Sequence, residues 1–437
     1  MPMLYYSYSN FMVHYKNIKQ CRICGSEHLT EVIHIKAQHL SPIFVQSNEN
    51  NELSDIKVPL TLTLCGHKKN PSGCGLLQLK ETVDPDLLYR DYFYRSAVSD
   101  TMRKDLDNVV RDIGQHVELK DGDCVIDIGA NDCTMLNYFP ASLNRVAVEP
   151  AKNIDWSNVD PSIKIVNDYF SKDAVNDAIK GKSVRAITCC AMFYDLDDPN
   201  SFVSDIKSIL APDGVWCVQL SYLVLMLKNI NFYDICHEHL EYYSLHTLNS
   251  LMKRHNLSIF DASTNHVNGG STRVFITHSE NNRKPSANLE KLYVNEEKMN
   301  LYDAATYTNF YKKIVNLKNK VHDFITKEID KEGIVLGLGA STKGNILLQL
   351  FGITKEMLPY ISERNPQKVG LRTLGTDIGL ISEERARDMK PSCMLVLPWY
   401  FKQEIVRREA DYLQQGGKLL FPMPYPHIVD KNGETNL

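Results

Sequence analysis

Asp123-Cys-Val-Ile-Asp-Ile-Gly-Ala-Asn-Asp-Cys-Thr-Met-Leu136 decides the fold. The apolar run reads as a buried strand, Gly129 as the turn that ends it, and the residues beyond as the start of a helix. Leu119-Lys-Asp-Gly122 reads as the turn that leads in. Downstream, Arg145-Val-Ala-Val-Glu-Pro150 is a second short strand with an acid, Glu149, at its tip. An acid about twenty residues past a glycine turn suits the two ribose hydroxyls of a bound nucleoside. A dinucleotide would need G-x-G-x-x-G to admit its pyrophosphate. Only Gly129 is present, with Asn131 and Thr134 at the later positions. S-adenosylmethionine carries no phosphate, and its amino and carboxylate groups prefer polar side chains such as Asp127, Asn131 and Asp132. The methyl donor is therefore the favoured ligand, with Asp127, Gly129, Asn131, Asp132, Glu149 and Pro150 around it.

The same rhythm continues outward. Ala186-Ile-Thr-Cys-Cys-Ala-Met192 reads as a buried strand, and Phe193-Tyr-Asp-Leu-Asp-Asp-Pro-Asn200 as a loop leading to a helix at 201–210. Pro212-Asp-Gly214 turns into a strand at 215–221. Short apolar strands alternating with helices mean an α/β fold with a mostly parallel sheet and ligands at the carboxyl ends of its strands. Asp127, Glu149, the 193–198 loop and the Gln219-Leu-Ser-Tyr222 exit all fall at such ends.

Phe232-Tyr-Asp-Ile-Cys-His-Glu-His-Leu-Glu-Tyr-Tyr-Ser244 follows soon after. It crowds two histidines, three carboxylates, a thiol and three tyrosines into thirteen residues. A strand would alternate apolar and polar residues, and a helix would carry an apolar stripe. Titratable groups mixed with aromatic ones suit proton transfer, which needs a base, something to orient it, and walls that exclude water.

Length and composition bound the rest. A chain of 437 residues is too long for one ordinary core, so two or three domains are expected. With 43% hydrophobic residues, 23% charged residues and a net charge of −4, the chain is a globular protein without a basic face for nucleic acid. Met1-Pro-Met-Leu-Tyr-Tyr-Ser-Tyr8 has neither the basic nor the apolar region of a signal peptide, and no apolar run approaches about 18 residues. Of the eleven cysteines, Cys124, Cys189, Cys190, Cys217 and Cys393 sit in apolar runs and read as reduced core residues of a cytoplasmic protein.

Four other cysteines read differently. Cys21-Arg-Ile-Cys24 places two thiolates on one tight knuckle, and Cys65 and Cys74 supply a second pair, spaced by eight residues. Together they would close a tetrahedral, structural Zn²⁺ site, with His67 as a conceivable substitute ligand. The intervening segment has few apolar residues, so it is expected to need the metal to fold.

A second α/β unit closes the chain, after a connecting helix at 311–329. Gly333-Ile-Val-Leu-Gly-Leu-Gly-Ala-Ser-Thr-Lys-Gly-Asn345 reads as strand, glycine turn, helix. Gly337, Gly339 and Gly344 leave amides free to approach an anion, and Ser341, Thr342 and Lys343 add donors at the helix start. Asn365 and Lys368 lie on a later loop. Met394-Leu-Val-Leu-Pro-Trp-Tyr-Phe401 reads as a late strand ending in aromatics.

Read together, these segments resemble the three-domain sugar C-methyltransferases that act on nucleotide-linked 4-keto-deoxysugars. The resemblance covers essentially the whole chain. It rests on Cys21-x2-Cys24 with Cys65 and Cys74, Ile128-Gly-Ala-Asn-Asp132, His237-Glu-His239 with Tyr243-Ser244, Asn268-Gly-Gly-Ser-Thr-Arg273, Gly339-Ala-Ser-Thr-Lys-Gly344 and Asn365-Pro-Gln-Lys368. It implies a zinc-binding domain over 1–85, a Rossmann-like methyltransferase domain over 86–300 and a second Rossmann-like domain over 301–437 that holds the nucleoside diphosphate. By resemblance His239 is the base that removes the proton beside the ketone, with Glu238 and His237 orienting it. Tyr89-Arg-Asp-Tyr-Phe-Tyr94 resembles the family's tyrosine-rich access to the donor pocket, with Tyr94 and Gln219 among its donor contacts. Asn268, Arg273, Ser341, Thr342, Lys343, Gly344, Asn345, Asn365 and Lys368 are the expected acceptor contacts. Many relatives have Tyr where this chain has Cys236, and His where it has Tyr194. Those two positions bear on the acceptor, and Tyr194 could supply the missing phenol. Cys133 replaces a glycine, both being small.

The expected partner is thus a nucleotide-sugar, with no nucleic acid and no membrane. Nothing indicates a coiled coil, and a monomer is expected. Three rival readings remain at this point: methyl transfer to oxygen or nitrogen, an NAD(P)-dependent oxidoreductase using the Gly337-x-Gly339 turn, and a non-catalytic zinc scaffold.

Overall fold

The computed structural model describes residues 15–46, 56–66, 73–90, 92 and 94–437. The N-terminal octapeptide, His67, Asp91 and Phe93 lie outside the described residues.

The Cys124–Ile128 strand is buried throughout and sits inside a seven-stranded sheet. Asn144–Val148 and then Lys164–Val166 run parallel on one side; Val184–Cys190 and then Leu210–Ser221 run parallel on the other. The strand order thus reverses at Cys124–Ile128, and a crevice opens at the carboxyl ends there. An antiparallel pair, Ser271–His278 and Leu257–Asn265, closes the far edge.

The helix expected directly after Gly129 is absent. Asn131 and Cys133 adopt left-handed backbone (φ 49 and 60), which no right-handed helix can include. Turns and a single 3-10 turn, Leu136–Tyr138, carry the chain to Pro140 instead.

The C-terminal sheet has nine strands. Its parallel centre is Lys418–Phe421, Cys393–Val396, Val335–Leu338, Tyr360–Glu363 and Gly379–Ser382. The expected late strand stops at Val396, because Pro398 breaks it and Trp399–Phe401 form a 3-10 turn. One edge strand, Phe44–Gln46, comes from the N-terminal region and pairs with Leu371–Thr373.

The connecting helix is longer than its apolar pattern suggests, Ala304–Ile329, and starts at the Asp303 cap. It buries Tyr307, Phe310, Ile314, Leu317, Val321 and Ile325 at helical spacing.

The cysteine region is not the self-contained small module its composition suggests. Leu29–His39, Lys57–Cys65 and Leu77–Leu79 form an antiparallel sheet, and Lys57–Cys65 is buried from Leu60 onward. Leu60, Leu62, Leu64 and Leu77 belong to one hydrophobic cluster with Ile126, Trp216, Phe310 and Leu348. The region therefore borrows its core from the rest of the molecule. Its fourth strand is Glu241–Tyr242, from the acid–base stretch, paired with Leu77 and Gln78. Among the described residues, no helix is long and apolar enough to cross a membrane.

Candidate active site

A cavity of about 590 Å³ lies where the carboxyl ends of both parallel sheets meet the acid–base stretch. Its donor side is built by the Gly129 turn. Gly129 has φ +74, and a Cβ there would come within 3.0 Å of the Met192 side chain. Asp127, Gly129, Asn131, Glu149, Pro150 and Gln219 all line this cavity. Asp127 engages one oxygen, accepting from the Thr188 hydroxyl at 2.7 Å. Burial pushes its pKa up to about 8, against that hydrogen bond. Glu149 accepts the backbone N–H of Asn131 at 2.8 Å and of Ala151 at 2.9 Å, one on each carboxylate oxygen. Each oxygen keeps a lone pair for a ribose hydroxyl. The cradle therefore fits S-adenosylmethionine: a glycine for close approach, an acid for the ribose, and a carboxyl for the amino group.

Asn131 and Asp132 do a different job from the one their sequence positions suggest. Asn131 accepts from Ser96 N and donates to the Tyr94 carbonyl; Asp132 accepts from Ala97 N. They tie the 94–97 segment, and with it Tyr94, over the donor side of the cavity. Asp132 does not line it. Gln219 lines the wall, but its amide is committed to Asp105, Asn265 and Arg273.

Cys236, Glu238, His239 and Tyr194 line the same cavity. The His239 ring packs on the Tyr194 ring, centroids 4.1 Å apart. Burial first, then the Lys343 charge, depress the His239 pKa well below its ordinary value, while a hydrogen bond to the Asp234 carbonyl opposes them. One ring nitrogen thus carries the proton given to Asp234, and the other keeps a lone pair. Glu238 behaves oppositely. Burial pushes its pKa up to about 8, despite the Cys236 thiol hydrogen bond and the Lys343 charge. Glu238 Oε2 has no hydrogen-bond partner among the described residues. At neutral pH the pair is a neutral imidazole beside a protonated acid.

His237 needs correcting. It is fully buried away from the cavity, and its Nε2 meets the Val58 carbonyl at 3.1 Å. It holds the stretch against the N-terminal sheet and does not orient His239. Arg273 is also withdrawn, paired with Asp105 at 2.9 Å and with Asp112. Gly344 packs under Leu397, and Asn345 donates to the Ser41 carbonyl at 2.7 Å. Neither reaches the cavity. Asn268, Ser341, Thr342, Lys343, Asn365 and Lys368 do line it.

Lys343 is more deeply engaged than an anion cradle requires. Its ammonium pairs with Asp234 Oδ1 at 2.6 Å and lies 5.6 Å from the centroids of both Tyr233 and Tyr400. Burial works to lower its pKa, but Asp234 and the shared hydrogen bond outweigh that and raise it. Asp234 and Asp195 escaped the sequence reading. Asp195 lines the cavity, and burial raises its pKa well above the carboxylate range. Both stood inside segments already marked, at 232–244 and 193–198, among neighbours with stronger claims.

The four cysteines converge. Their sulfurs all lie within 4.8 Å of one another, with Cys21–Cys74 at 3.6 Å and Cys24–Cys65 at 3.5 Å. A tetrahedron with metal–sulfur bonds of ~2.3 Å has edges of about 3.8 Å, so the set fits Zn²⁺. Between two of these ligands, Arg22 reaches Leu79 O and Thr82 Oγ1, and its Nε lies 3.6 Å from Glu241 and 3.7 Å from Asp197. The knuckle thereby braces both loops that carry the acid–base residues.

Comparison with known proteins agrees with this arrangement. Three family models match successive parts of the chain: a zinc binding domain over residues 21–89, a methyltransferase domain over 100–262 and a C-methyltransferase C-terminal domain over 266–424. C-methyltransferase NovU of Streptomyces niveus is 27% identical over 418 residues, spanning 94% of this chain and 97% of that one. Among solved structures, a S-adenosylmethionine-dependent methyltransferase from Clostridium acetobutylicum ATCC 824 is 12% identical over 42% of this chain and 93% of that one, TM-score 0.32. Magnesium protoporphyrin IX methyltransferase from Synechocystis PCC 6803, with bound S-adenosylhomocysteine, is 10% identical over 42% and 89%, TM-score 0.32. The chain is an S-adenosylmethionine-dependent methyltransferase whose three parts match, in order, the models of a zinc-containing, three-domain C-methyltransferase family.

Proposed function

We propose that the acceptor is a nucleotide-linked 4-keto-deoxysugar, methylated at the carbon beside the ketone after that carbon is deprotonated. One observation carries this reading: a single cavity is lined by the donor turn, by His239 and Glu238, and by the C-terminal glycine turn. Bound S-adenosylmethionine supplies an electrophilic methyl group. His239 takes the α-proton on its unprotonated ring nitrogen, while the other nitrogen stays fixed to the Asp234 carbonyl. Glu238, protonated at neutral pH, can donate to the ketone oxygen as it gains charge. Lys343 adds a buried positive charge to the same wall, from the C-terminal domain. Tyr194 packs beside the base and helps exclude water. In place of the family's tyrosine, Cys236 hydrogen-bonds Glu238. A positioned base is worth ~10²–10⁴-fold.

His239→Asn tests the assignment. Methyl transfer and solvent-deuterium uptake at the sugar α-carbon should fall together, by at least ~100-fold. Exchange persisting at the wild-type rate would mean that another group is the base.

A further inference from the structure

We propose that Glu363 anchors the ribose hydroxyls of the acceptor's nucleoside, the counterpart in the C-terminal domain of Glu149 in the donor domain. The inference rests on the nucleotide-linked acceptor proposed above.

The two domains repeat one construction. In the donor domain, the strand Cys124–Ile128 ends at Gly129, whose N–H donates to the carbonyl of Val148 on the neighbouring strand at 2.9 Å. The next residue on that strand, Glu149, accepts from the turn at Asn131 N and from its own i+2 amide at Ala151 N. In the C-terminal domain, Val335–Leu338 ends at Gly339, whose N–H donates to the carbonyl of Ser362 at 2.9 Å. The next residue, Glu363, accepts from the turn at Ala340 N at 2.8 Å and from its own i+2 amide at Asn365 N at 2.7 Å. The strand pairings correspond as well, Ile128 with Val148 and Leu338 with Ser362. The turns differ by one residue.

An acid so placed at the tip of the second strand is the group that takes ribose hydroxyls in open α/β sheets. Each Glu363 oxygen spends one lone pair on a backbone amide and keeps another for a hydroxyl. Glu363 is 7% exposed, and it lines the cavity that holds His239. Beside it, the Ser362 hydroxyl also lines the cavity, is buried, and has no hydrogen-bond partner among the described residues. An unmet hydroxyl next to an acid with spare lone pairs is a polar surface prepared for a polar ligand. The Lys368 ammonium lies on the same wall, 3.0 Å from the Ala340 carbonyl and over the Phe44 ring. The geometry thus offers hydroxyl acceptors and a cation side by side, as a nucleoside diphosphate requires.

The test is calorimetry on the full zinc-loaded chain saturated with S-adenosylhomocysteine. The probes are the ribo-, 2′-deoxy- and 2′,3′-dideoxynucleoside diphosphates of uridine, guanosine, cytidine, adenosine and thymidine. For whichever base binds, loss of both hydroxyls should weaken binding about tenfold or more, since a hydrogen bond to a charged group is lost. Glu363→Gln should shrink that gap to about twofold or less, with S-adenosylhomocysteine affinity unchanged. A dideoxy diphosphate that binds wild type as tightly as its parent overturns the inference and leaves the acceptor reading standing. If no diphosphate binds while S-adenosylhomocysteine does, the acceptor reading itself fails. The wild-type series is informative even if the variant misfolds.

Discussion

Glu238 and His239 are adjacent in the chain, yet burial drives their protons in opposite directions. Burial raises an acid and lowers a base, because it penalises whichever form is charged. The consequence is a bell in kcat/KM. Protonated His239 cannot take a proton, and its pKa lies below 6.5, so the acid limb should fall below that pH. Glu238 ionises near 8 and then can no longer donate, which sets the alkaline limb there. Glu238→Gln should remove the alkaline limb. If Asp127→Asn removed it instead, the donor-pocket carboxyl would be responsible, since that group also titrates near 8. Replacing the ion pair as Lys343→Gln with Asp234→Asn should move the acid limb to higher pH, because the Lys343 charge is one cause of the depressed His239 pKa. At this scale the sequence was readable only as crowding. It marked 232–244 as titratable ground, but composition carries no direction for a side chain, so His237 is expected to orient His239, whereas its ring faces the Val58 carbonyl.

Among elements, the strands were legible and the turn was not. Near-continuous apolar runs such as Cys124–Ile128, broken only by Asp127, and Val335–Leu338 announce strands buried on both faces. The missing helix after Gly129 depends on left-handed backbone at Asn131 and Cys133, which a sequence read for periodicity does not disclose. The cysteine spacing named the four metal ligands, but gave no sign of what the knuckle supports. Because Arg22 braces Asp197 and Glu241, losing the metal should be felt in catalysis before it is felt in donor binding. Cys24→Ser should take zinc from one per chain to near zero by atomic absorption. It should also lower kcat by roughly tenfold or more, with S-adenosylhomocysteine affinity within about twofold. Equal losses in both would mean that the knuckle holds the whole fold rather than the acid–base loops.

The whole molecule does not divide as cleanly as its succession of motifs. Phe44–Gln46 completes the C-terminal sheet, Glu241–Tyr242 completes the N-terminal one, and one hydrophobic cluster runs from Ile23 through Trp216 to Leu420. Such exchanges join residues some 160–330 positions apart, as in the pairings Gln78–Glu241 and Val45–Arg372, and no local pattern in the sequence foretells them. A continuous core predicts one cooperative unfolding transition by calorimetry for the zinc-loaded chain, shifted upward by S-adenosylhomocysteine. Well-resolved separate peaks would contradict it.

The stretch at 232–244 has a further consequence for anyone recombining relatives. Phe232 stacks on Phe351, Asp234 grips Lys343, Leu240 accepts from the Leu79 amide, and Glu241 faces Arg22. Thirteen residues thus serve as a three-way splice. A chimera that imports only a foreign C-terminal half would present those anchors with mismatched sockets, so grafts meant to retarget the acceptor should carry this segment along with the half it fastens.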